Sequence, residues 1–121
     1  MSYTAQFDPD SGFVRVVVTG PMGLADAQQF FPAMVRECHK HACSRAIVDV
    51  SNARINTDKP ELYRLPALLS RAGFRSREDR VAIVYAHDGE HHKTAEKAFL
   101  DYGLVVRVFT DTDEAIAWLT A

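Results

Sequence analysis

Apolar and polar positions alternate from Tyr3 to Asp8, and the alternation stops at Asp8-Pro9-Asp10-Ser11-Gly12. Proline fixes φ and glycine permits positive φ, so this cluster predicts a hairpin turn. The β-branched run from Phe13 to Thr19, polar only at Arg15, suits a strand returning antiparallel to the first, with Gly20-Pro21 as its expected end. From Leu24 the pattern changes period. Ala27, Phe30, Phe31, Met34, Val35 and Cys38 follow the three-and-four spacing of one buried helical face. Pro32 falls inside that span and removes a backbone donor, which predicts a bend or a late start.

Two further strand and helix units follow, and then a last strand leads into a terminal helix. Arg45 to Val50 reads as a short buried strand, ended by Ser51-Asn52 and followed by a loop. A helix is expected from about Lys59 to Gly73, with Pro60 in its first turn, Thr57 or Asp58 as cap, and Leu62, Leu65, Leu69 and Ala72 buried. Arg80 to Ala86 predicts a buried strand, and Asp88-Gly89 leads into a helix with Ala95, Ala98, Phe99 and Tyr102 on one face, closed by Gly103. Leu104 to Phe109 is the last strand. Asp111-x-x-Glu114 resembles a capping box before a terminal helix that buries Ala115, Trp118 and Leu119.

The order ββαβαβαβα predicts an α/β fold: one domain over residues 1–121, with a mixed, mostly parallel sheet of about five strands and about four helices. Crossovers should be right-handed and the first strand antiparallel at or near an edge. Ligands and partners of such sheets usually meet the loops at the carboxyl ends of the strands, here 20–23, 51–59, 86–90 and 110–113.

Charge then narrows the function classes. Fourteen Lys and Arg against sixteen Asp and Glu create no strong field, which argues against bulk nucleic-acid binding. Apolar runs as short as Val16–Val18 offer no integral membrane segment, and two closely spaced cysteines suit a reducing, cytoplasmic setting. Arg54, Lys59, Arg64, Arg71, Arg75, Arg77 and Arg80 concentrate positive charge in the middle third, diluted by Asp58, Glu61, Glu78 and Asp79. That patch is either a solvated surface or a contact for an acidic partner or anionic headgroups.

No catalytic motif emerges. Cys38, His39, His41 and Cys43 carry metal-ligand side chains, but their spacing matches no standard zinc pattern, and neighbouring helical positions point about 100° apart. His87, His91 and His92 flank the start of a helix without a recognisable nucleophile, and an exposed polar first turn is the simpler reading. Asp49 ends a buried strand, where it either caps its own turn or joins Asp88 in holding magnesium; capping is the simpler chemistry. The residues therefore imply no catalytic group, no cofactor and no metal.

The strand Ile47-Val48-Asp49-Val50 followed by Ser51, the order of elements, and the closing Phe109-x5-Ala115-x2-Trp118-Leu119 resemble the SpoIIAA-like branch of the STAS family of sulfate transporter and anti-sigma-factor antagonist domains. The resemblance covers almost the whole chain. In the family's signalling members the loop after the third strand reaches an Asp-Ser-Ser-Gly stretch whose serine is phosphorylated by a partner kinase. This sequence has Asn56-Thr57-Asp58-Lys59-Pro60 there, with Asp58 at or near the phosphoacceptor and no Ser-Ser-Gly.

The resemblance implies a non-enzymatic protein-interaction or regulatory module without the usual phosphoserine motif. Its expected surface comprises Asp49, Ser51, Thr57, Asp58, Arg64, Leu65 and Leu68, and the partner is another protein or a second copy of the chain. The branch has also been compared with lipid carriers of the CRAL-TRIO type. The wide apolar stripe with Leu65, Leu68 and Leu69 therefore supports an alternative, a small apolar-ligand or lipid binder with this helix as one wall.

Overall fold

The chain reverses at residues 9–12, where Gly12 takes φ +79° and its N–H donates to the Asp8 carbonyl at 2.8 Å. In the computed structural model, which describes residues 1–121, this turn joins β1 (Ser2–Asp8) to β2 (Phe13–Met22) in a full antiparallel ladder. The remaining elements are α1 (Leu24–Lys40), β3 (Arg45–Ile55), α2 (Lys59–Leu62), α3 (Leu65–Arg71), β4 (Arg80–Val84), α4 (Glu90–Tyr102), β5 (Val106–Phe109) and α5 (Thr112–Leu119). The five strands lie side by side in sequence order, β1 antiparallel at one edge and β2 to β5 mutually parallel. The expected α/β architecture is thus the observed one.

Alternation along the strands divides the core between the two sheet faces. Val14, Val16, Val18, Val48, Val50, Val81, Ile83, Val106 and Val108 face the larger layer, where α1, α3 and α4 contribute Phe30, Met34, Leu69 and Phe99. Phe13, Ile47, Ala82 and Val84 face a smaller layer closed by Ala115 and Leu119 of α5.

Several boundaries differ from those the sequence suggests: β4 ends at Val84 and β5 begins at Val106, each two residues short of expectation, and three larger differences follow. β2 runs through Gly20-Pro21 to Met22. The Met22 carbonyl faces β3, so its neighbour Pro21 faces the other side, where β1 has already ended opposite Thr19 and no ladder donor is lost. β3 likewise continues past Ser51-Asn52 to Ile55. One extra residue of β3 sits opposite β2 between Asp49 and Asn52, and the Asp49 carboxylate accepts from Ser51 N at 2.9 Å and Ser51 Oγ at 2.5 Å across that bulge.

The helix expected over Lys59 to Gly73 is two short helices. Pro66 has no N–H for the Leu62 carbonyl and its ring would crowd that carbonyl, so one helix stops at Leu62 and the next starts with proline in its first turn. By contrast α1 starts at Leu24, ahead of Pro32, and runs through it, its buried face from Ala27 to Val35 outweighing one missing bond.

Candidate functional site

β2 and β3 overshoot β4 at the carboxyl end of the sheet. β3 pairs with β4 only from Arg45 to Asp49 but with β2 as far as Ile55. The space beyond the end of β4 is a cleft of about 470 Å³. Its walls are Ala53, Arg54 and Ile55 on one side and the β4–α4 segment from Ala86 to His92 on the other, with Val50 and Tyr85 also lining it.

The loop leaving β3 is anchored at three successive residues. Asn56 N donates to the Met22 carbonyl at 2.8 Å. Thr57 Oγ1 lies 2.7 Å from His91 Nε2 on α4. The Asp58 carboxylate accepts from Glu61 N at 2.9 Å while Glu61 Oε1 accepts from Asp58 N at 3.0 Å, a reciprocal capping box at the start of α2. A capping role for Asp58 was among the sequence expectations; the bond of Thr57 to a histidine 34 positions away was not.

His91 is the junction of this region. Its Nδ1 lies 2.8 Å from the hydroxyl of Tyr85, at the end of β4. Tyr85 is buried, and burial raises its pKa well above that of a free phenol, so the hydroxyl keeps its proton. The tautomer that strands no buried donor has Tyr85 O–H donating to Nδ1 and Nε2–H donating to Thr57 Oγ1. Burial lowers the pKa of His91, which favours this neutral form.

Of the other candidates, Arg64 is exposed at the start of α3, and Leu68 is half-buried against the main core. Leu65 belongs inside: it is 8 % exposed and packs in the core, so it is not available as a surface contact. Asp49 and Ser51 are occupied with each other at the β3 bulge, and Asp49 shares no cleft wall with Asp88.

His87 lies in the loop before α4, so no early helical turn aligns it with His91. His92 Nδ1 lies 3.4 Å from Asp88 Oδ1 and makes no hydrogen bond. At the end of α1, Cys43 Sγ donates to the Arg45 carbonyl at 3.0 Å, Cys38 Sγ turns toward the same oxygen at 3.9 Å, and the His41 ring stacks on Phe7 at 4.3 Å. Nowhere do three His, Cys, Asp or Glu side chains converge as a metal site would require.

Beneath α3 lies a partly open space lined by apolar side chains, among them Phe30, Leu65, Ile83 and Phe99, of only about 30 Å³. That holds about one water molecule and no acyl chain. No helix is long and apolar enough to cross a membrane.

A family model described as SpoIIAA-like matches residues 13–120. Among solved structures, the chain is similar to an uncharacterized protein of the DUF3478 family with a SpoIIAA-like fold from Shewanella loihica PV-4, with a TM-score of 0.59, 18% identity, and 98% of this chain and 92% of that chain covered. It is also similar to the anti-sigma factor antagonist SpoIIAA in its unphosphorylated form, with a TM-score of 0.52, 12% identity and coverage of 97% and 96%. A candidate anti-sigma factor antagonist from Thermotoga maritima gives a TM-score of 0.57 at 13% identity, covering 98% and 95%. No curated protein matches. At these identities the structural likenesses speak to the fold.

Proposed function

The chain belongs to the SpoIIAA-like family, and from that premise we propose that it is a non-enzymatic protein-interaction module of regulatory type that works without the family's phosphoacceptor serine. The observation that supports this reading is the anchored segment Asn56–Asp58 at the carboxyl end of the sheet, where open α/β sheets meet their partners. Its three tethers hold the exposed Asp58 in place, and exposed Arg64 follows between α2 and α3. Rigid, oppositely charged groups favour recognition by a partner surface, because little side-chain and loop freedom is lost on docking.

The small volume beneath α3 supports surface recognition over carriage of an apolar ligand. Affinity capture with cross-linking at native abundance tests the reading, comparing the natural chain with Asp58→Asn, which keeps a capping side chain but removes its charge, and Arg64→Glu. The natural chain should retain a partner that both variants lose or bind more weakly. Capture of no partner by the natural chain, or undiminished capture by both variants, would overturn it.

A further inference from the structure

The overshoot of β3 leaves a strand edge open inside the cleft. Beyond Asp49 the strand has β2 on one side and no strand on the other. Asn56 N donates to Met22 on β2, and backbone groups along a parallel pair face alternate sides, so Ser51, Ala53 and Ile55 turn their N–H and C=O groups away from β2. Ser51 N is taken by the Asp49 carboxylate. Ala53 and Ile55 thus present two donor and acceptor pairs, spaced by about 6.6 Å, the two-residue repeat of a strand, and both residues line the cleft.

We propose that this edge binds an extended segment of a partner protein, which adds to the sheet as a short strand in the line that β4 vacates. This rests on the interaction-module reading and names how the partner is held. A cleft of about 470 Å³ lies within the size range of binding pockets. Its occupant is set by the wall: a repeating row of backbone donors and acceptors is matched by another backbone, with main-chain bonds giving affinity and alternate side chains giving selectivity. The apolar groups of Val50, Ala53, Ile55 and Tyr85 would meet every second side chain of the guest, favouring small or apolar residues there. The lining carries exposed Arg54 together with exposed Asp88 and Glu90, charges of both signs, so the guest needs no large net charge.

Amide hydrogen exchange by NMR on the full chain tests the proposal, with dodecamer peptides selected from a random display library as the probe. Without peptide, the amides of Ala53 and Ile55 should exchange far faster than that of Asn56. With a selected peptide they should slow by roughly tenfold or more while Asn56 is unchanged. N-methylation of the peptide should weaken binding at alternate residues. Failure to select any binding peptide, peptides that bind without protecting Ala53 and Ile55, or protection that rises with protein concentration alone would each overturn it; the last would make the occupant a second copy of the chain. Partner capture that depends on Asp58 and Arg64 but leaves Ala53 and Ile55 unprotected would sink strand addition and leave the interaction module standing.

Discussion

Thr57 Oγ1 and His91 Nε2 meet at 2.7 Å, tying the loop that leaves β3 to the first turn of α4. The other ring nitrogen of this histidine is held by Tyr85, so the loop after β3, the end of β4 and the first turn of α4 share one hydrogen-bonded chain at the carboxyl end of the sheet.

Thr57→Val keeps the side-chain shape and deletes the hydroxyl. It leaves His91 Nε2–H without its partner at a half-buried position, so the expected loss of stability is about 0.5–1.5 kcal/mol, read as a lower urea midpoint with an unchanged slope. Thr57→Ser retains the hydroxyl and should lose less.

The same junction predicts a pH dependence. His91 has a folded-state pKa below the ordinary value of 6.5, burial being the cause. The unfolded chain therefore takes up a proton that the folded chain refuses in the window just below pH 6.5. Stability from this group is fully present above that pH and declines as the pH falls toward the lower folded pKa. A second penalty acts in the same direction, since a protonated ring cannot accept from the buried Tyr85 hydroxyl. Urea midpoints measured between pH 7.5 and pH 5 should fall more steeply for the natural chain than for His91→Gln, and equal slopes would refute the assignment.

Elements with a strong period were legible in the sequence, and those governed by pairing were not. The α1 stripe and the valine-rich strands dictate their own structure because most of their side chains meet a core whatever their neighbours do. The extensions of β2 and β3 depend on each other: Pro21 is harmless only because β1 has ended, and Ser51 is accommodated only because the Asp49 carboxylate takes up its N–H and hydroxyl. The break at Tyr63-Arg64 was readable from Pro66 and the Leu62 carbonyl it cannot bond, but the continuous apolar spacing concealed it. At the candidate site, the resemblance directed attention to the loop of Thr57 and Asp58. His91 could not be joined to Thr57, because nothing in the segment between these two residues, 34 positions apart, encodes which helix turn faces the loop.

Leu65 and Leu68 separate core from surface within the expected apolar stripe. Leu65 touches the main core at 8 % exposure, and truncation to alanine should cost about 2–5 kcal/mol. Leu68 is only half-buried, so Leu68→Ala should cost clearly less. Thermal or urea unfolding of the two variants side by side checks the order. A larger loss for Leu68 would return Leu65 to the list of surface contacts.

Cys38 and Cys43 should behave as structural thiols. Burial, with the neighbouring Cys43 as the next cause, raises the pKa of Cys38 well above that of a free thiol, which suppresses the reactive thiolate. Cys43 is 8 % exposed, and its thiol donates to the Arg45 carbonyl at 3.0 Å. Alkylation requires both access and thiolate, so iodoacetamide at pH 8 should label the folded chain slowly at both positions and rapidly once urea unfolds it. Intact mass measured over the labelling time reads the two rates. If labelling of the folded chain matched that of the unfolded chain, the thiols would be open to solvent, and the packing at the end of α1 would have to be revised.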